Sequence, residues 1–112
     1  MYIIEAVLTR SAAARVPEPD ATMVQEVFWP LTRVEDRLEH LRARVRARAR
    51  AIDLVLFVAS PDGRRAVLDA RRLCERVSRD APLLAGWTLT HCALFDPTSE
   101  PATPDREPRA SS

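Results

Sequence analysis

The sequence predicts an α+β domain in which a four-stranded antiparallel sheet is covered on one face by two helices. Three observations carry this. Residues 2–9 and 52–59 are β-branched and apolar runs of strand length, residues 64–79 carry an apolar stripe at helical spacing, and residues 41–51 alternate aliphatic side chains with Arg. At 112 residues, 46% hydrophobic and 29% charged, the chain suits one small domain.

Taken in order, Tyr2 to Thr9 reads as a strand with Glu5 on the alternate face. Ser11 to Asp20 contains Pro17 and Pro19 and is a connection. From Asp20 to Trp29 the residues Met23, Val24, Val27 and Phe28 recur at helical spacing; Asp20 can cap this helix and Pro30 is expected to stop it. Residues 52–59 are almost continuously apolar, as in a strand placed centrally in a sheet. Ser60-Pro61-Asp62 then opens a helix with Ser or Asp as its cap. Its apolar face is Ala66, Val67, Ala70, Leu73, Cys74 and Val77, and arginines occupy much of the remainder. Asp80-Ala81-Pro82 ends it and Leu83 to Gly86 forms a turn. Trp87 to Phe95 is the last strand, expected to set Thr88, Thr90 and Cys92 on one face against Leu89, His91 and Ala93 on the other. Asp96 to Ser112 carries four prolines and little to bury, so the domain is expected to span residues 1–95 and the tail to be disordered.

Residues 41–51, Leu-Arg-Ala-Arg-Val-Arg-Ala-Arg-Ala-Arg-Ala, decide between architectures. A strand puts every Arg on one face and every aliphatic residue on the other. Against it, Val34, Leu38, Leu41, Val45 and Ile52 also fit a helical stripe, Thr32 and Glu35 match a capping box, and Ala and Arg favour helix. That alternative is a three-stranded α/β domain with residues 33–50 helical. The strand is preferred because a helix would spread the arginines around its circumference. Leu38 falls out of parity with Leu41, and without Asn-Gly or Gly near residues 47–51 a longer irregular turn is expected. The order is then strand, helix, strand, strand, helix, strand, the ferredoxin-like pattern, with the arginine strand at a sheet edge.

At this point the chain resembles short uncharacterised actinobacterial proteins with a ferredoxin-like pattern. The matching features are Leu38-Glu39-His40, Leu54-Val55-Leu56-Phe57, Arg72-Leu73-Cys74 and Leu84-Ala85-Gly86-Trp87. The resemblance spans residues 1–95, implies the fold, and brings no activity, cofactor or site residue with it.

Composition removes several functions. Gly63 and Gly86 are the only glycines, too few for a phosphate-cradling loop, so Walker-type and dinucleotide-fingerprint sites are excluded. Met1-Tyr2-Ile3-Ile4-Glu5 has no basic leader, and the longest apolar run, Leu54 to Ala59, is far short of the ~20 residues that span a bilayer. Cys74 and Cys92 lack zinc or disulfide-framework spacing and are expected to be reduced, in a cytoplasmic protein without a metal or other cofactor.

His40 and His91 are the only histidines, so any histidine acid or base must be one of them. The plainer reading of both is structural. Cys92 follows His91, but neighbours on a strand diverge, and burial is the plainer reading of either thiol. Arg42, Arg44, Arg46, Arg48 and Arg50 are the candidate contact residues, a track at about 6.8 Å spacing on one strand face for a partner or a polyanion. The plainer reading is a solvated edge that resists aggregation. Trp29, Trp87 and Phe28 are expected to anchor the core or an interface.

Ile3 and Val7, or Tyr2 and Ile4, must project toward the uncovered face, which calls for a second sheet. Three functional readings result. The first is a non-enzymatic accessory or protein-interaction module, a homo-oligomer dimerising through its sheet with a protein partner. The second is a small enzyme or ligand-binding protein of the dimeric α+β-barrel type, using His40, His91 or Cys92 in a cavity of roughly 300 Å³ or more. The third, nucleic-acid binding through the arginines, is disfavoured because Phe57 alone is available on the central strand for base stacking.

Overall fold

The computed structural model describes residues 1–11 and 18–95. The expected tail and most of the first connection therefore lie outside the described residues. The elements are β1 (Tyr2–Arg10), α1 (Ala21–Leu31), β2 (Leu38–Arg46), β3 (Ala51–Val58), α2 (Gly63–Asp80) and β4 (Trp87–Leu94), with single 3-10 turns at Val34–Asp36 and Pro82–Leu84. The sheet order is β2-β3-β1-β4, and every neighbouring pair is antiparallel. Each β-α-β crossover leaves a one-strand gap that a strand of the other unit fills: β3 lies between β1 and β2, and β1 between β3 and β4. The predicted class and element order are those observed.

The helical alternative for residues 33–50 is overturned. β2 pairs with β3 from Leu38↔Val58 to Arg46↔Ala51, which sets Leu41 against Leu56 and seals both. Local helix propensity is worth only a few tenths of a kcal/mol per residue and gives way to this pairing and burial. The five-arginine strand needs correction, however. β2 ends at Arg46, and Arg48 and Arg50 sit in the turn that joins β2 to β3. That turn closes through the Arg50 N–H on the Ala47 carbonyl (3.1 Å), and lacking glycine it places Arg50 at φ 51°.

α1 lies over β2, and α2 over β4 and β1, so the core forms between the helices and one sheet face. It is built from Ile4, Ala6 and Leu8 of β1, Ile52, Leu54, Leu56 and Val58 of β3, Val24 and Phe28 of α1, and the predicted stripe of α2. Asp20 and Asp62 cap the two helices, each accepting a backbone N–H at 2.8 Å, from Met23 and Arg65. Ser60 is not the cap: its hydroxyl donates to the buried Asp69 carboxylate at 2.6 Å. Pro30 does not stop α1 either. The helix runs to Leu31, and the Thr32 hydroxyl and N–H satisfy the carbonyls of Phe28 (2.8 Å) and Trp29 (3.2 Å) in that last turn. Trp87 and Phe28 join the core as expected, whereas Trp29 is 43% exposed.

One polar clamp ties the link between α1 and β2 to α2. Arg76 donates to both oxygens of Asp36, at 2.8 and 3.1 Å, and to the Leu31 carbonyl at 3.0 Å; the Arg33 N–H reaches Asp36 at 2.7 Å. Both side chains are largely out of water, at 11% and 4% exposure. Removing either partner strands the other, so Arg76→Ala and Asp36→Ala are each expected to cost about 3 kcal/mol. Urea denaturation of both single variants and the double variant checks this, with the double costing clearly less than the sum; small, additive effects would contradict the clamp.

Candidate functional site

The candidate site is the sheet face turned away from the helices. Antiparallel strands alternate their side chains, so Ile3, Glu5, Val7 and Thr9 of β1 and Asp53, Val55 and Phe57 of β3 point there, opposite the buried set.

On each edge strand a single extra residue changes which side chains reach this face. In β2, Leu38 opposes Val58 and the next paired residue is His40, opposite Phe57, leaving Glu39 extra. In β4, Leu89 opposes Leu8 and His91 opposes Val7, leaving Thr90 extra. Without these bulges His40 would fall opposite Leu56 and His91 opposite Ala6, both in the core. The bulges thus deliver both histidines to the open face. They also correct two expectations: Leu38 shares the core side with Leu41 despite its parity, and Cys92 joins Leu89 toward the helices instead of Thr88 and Thr90.

The register produces four rows across this face, of which Arg46–Ala51–Thr9–Thr88 is the last. One is His40–Phe57–Ile3, with the His40 and Phe57 rings 5.5 Å apart and tilted by 49°; Phe95 adjoins it, its N–H on the Ile3 carbonyl at 2.8 Å. The next is Arg42–Val55–Glu5–Ala93, and the third Arg44–Asp53–Val7–His91. One end of the face is therefore apolar and the other charged.

The charged end holds a groove of about 370 Å³, lined by Glu5, Val7, Arg44, Arg46, Asp53, Val55 and His91 among others. Arg46 is tied down by Asp53, Nε to Oδ2 at 2.8 Å and Nη2 to Oδ1 at 2.9 Å. Arg42 and Arg44 are exposed and, among the described residues, engage no carboxylate. Of the five candidate arginines, the fold thus brings Arg42, Arg44 and Arg46 together and leaves Arg48 and Arg50 in the exposed turn. Glu5 and Asp53 were not singled out from the sequence. The signal was there: each is the lone acid in an apolar strand, at a position that shares a face with Arg44.

A second cavity of about 450 Å³ lies between α1 and the end of α2, lined chiefly by Met23, Val27, Pro30, Leu31, Pro82 and Leu83. Asp80 at its rim is paired with Arg79 at 3.0 Å. Among the described residues no three His, Cys, Asp or Glu side chains gather as a metal site would require, and no helix is long and apolar enough to cross a membrane.

Cys92 and His91 point to opposite faces, so the pair cannot act together. Both thiols are free and buried. Burial pushes the Cys74 thiol far above the ordinary range, with Cys92 adding to the effect; burial also raises Cys92, partly offset by Arg71. Neither is an activated nucleophile. A thiol whose folded pKa is raised stays protonated while the unfolded chain ionises, so its contribution to stability is complete below the unfolded pKa of about 8.5 and is lost as pH rises above it. Stability measured by urea denaturation is expected to fall by ~1 kcal/mol or more per pH unit above about pH 9, with a shallower slope in Cys74→Ala. An unchanged slope in that variant would show that Cys74 ionises without cost.

No protein family, curated protein or solved structure matches the chain.

Proposed function

We propose that the protein is a cytoplasmic, non-enzymatic accessory or protein-interaction module that dimerises through the open face of its sheet. The observation that carries this is the apolar end of that face: Ile3, Phe57 and Phe95 lie together where no helix covers them, with Ile3 36% and Phe95 40% exposed. A second copy is the occupant that the charges favour. The adjoining row offers Arg42 and Glu5 without partners among the described residues, and a two-fold axis sets each against its opposite in the other copy. The free, buried thiols agree with a cytoplasmic setting.

Nucleic-acid binding is the weaker reading. Arg46 is already neutralised by Asp53, and Glu5 and Asp53 sit among the arginines, so few phosphates could be engaged on this face.

Light scattering on size-exclusion chromatography tests the proposal. The wild-type chain is expected to run as a dimer at micromolar concentration, and Phe57→Glu and Ile3→Glu as folded monomers, since each sets an unpaired charge in the centre of the contact. A monomeric wild-type chain at high concentration, or a dimer indifferent to both substitutions, overturns it.

A further inference from the structure

We infer that the charged groove on the open face binds a small monocarboxylate that carries a hydroxyl or ammonium group at its far end. The site adjoins the proposed dimer contact, shares Glu5 with it, and draws all its lining residues from one chain.

Three features converge on it. The first is the bulge at Thr90, without which His91 would be directed into the core; bulges of this kind re-aim side chains at functional sites. The second is the unequal use of two neighbouring arginines. Asp53 holds Arg46 through two contacts and fixes that wall, while Arg44, directly opposite Asp53 in the register, keeps its guanidinium for another carboxylate. The third is the floor, where Val7 and Val55 offer an apolar surface between the polar walls. Arg44 and His91 stand three strands apart, about 14 Å between backbones, and long side chains reaching inward leave space for one small ring or short aliphatic chain.

The charge balance selects the ligand class. Arg44 and Arg46 are matched by Glu5 and Asp53, so the lining has no net charge apart from His91. A phosphate dianion drawn by Arg44 would meet Glu5 within the same groove, which argues against phosphate esters and polyanions. A dipolar molecule fits both walls: its carboxylate on Arg44, its body on Val7 and Val55, and its donor toward Glu5 and His91. Such a ligand gives Arg44 a counter-ion and Glu5 a hydrogen-bond donor.

4-Hydroxybenzoate is a suitable probe, titrated into the full-length protein and followed by amide chemical shifts. Saturable shifts confined to the surroundings of Glu5, Val7, Asp53, Val55 and His91 are expected at millimolar concentration or below. Arg44→Gln should weaken binding at least about tenfold with the spectrum otherwise native. Glu5→Gln should reduce the preference for 4-hydroxybenzoate over benzoate, the readout that separates a contact from a general charge effect. The Phe57→Glu monomer should bind as the wild type does, which keeps this test distinct from that of the dimer. Absence of saturable shifts, indifference to Arg44→Gln, equal binding of inorganic phosphate, or loss of binding in a folded Phe57→Glu monomer would each overturn the inference.

Discussion

Pairing of β2 with β3 is the interaction on which the rest of the molecule depends. It converts an arginine-rich segment of high helix propensity into an edge strand, buries Leu41 against Leu56, and supplies the strand over which α1 lies. Without it the sheet loses the wall of the groove that carries Arg44 and Arg46, and α1 loses the surface that Val24 and Phe28 cover. The edge is then closed from outside. The Ala43 N–H, which faces away from β3, is accepted by the Gln25 side chain of α1 at 2.9 Å, so helix, strand and exposed backbone are satisfied together.

Given that sheet, two inserted residues decide what its free face can do. Period-two alternation obliges every residue beyond an insertion to change sides. Glu39 and Thr90 are such insertions, and through them His40 and His91 reach the open face while Leu41 and Cys92 go into the core. The face that results is not uniform. Its aromatic and aliphatic row suits another copy of the sheet, and its charged rows enclose a polar groove with an apolar floor. The helix layer has a different character: Asp36 with Arg76, and Asp69 with Ser60, serve to hold elements in place, and the buried thiols are chemically quiet.

Much of the architecture was legible in the sequence because the strongest patterns report burial directly. The apolar run 52–59 marked a central strand, the stripe from Ala66 to Val77 marked α2, and the alternation from Leu41 marked β2. The bulges were harder to see, since they arise from fitting one strand against another. Their traces were present as Leu38 and Leu41, and Leu89 and Cys92, core pairs spaced by three residues within strands. Alternation continues unbroken through Arg48 and Arg50, so it could not show that the strand ends at Arg46. Pro30 misled because a proline in the last turn forfeits a single helical hydrogen bond, while Thr32 satisfies the Phe28 and Trp29 carbonyls that the helix end leaves open. Glu5 and Asp53 gained meaning only once the register placed them beside Arg44.

The conformation of β2 can be read most directly from nuclear Overhauser contacts in solution. Because the Ala43 N–H turns outward to Gln25, Ala43 and Leu54 form a non-hydrogen-bonded pair with Cα atoms about 4.5 Å apart. A strong contact between the α-protons of Ala43 and Leu54, with none between residues three apart along 41–46, is the predicted result. Sequential helical contacts through that stretch, with no cross-strand contact to Leu54, would contradict the account at its base.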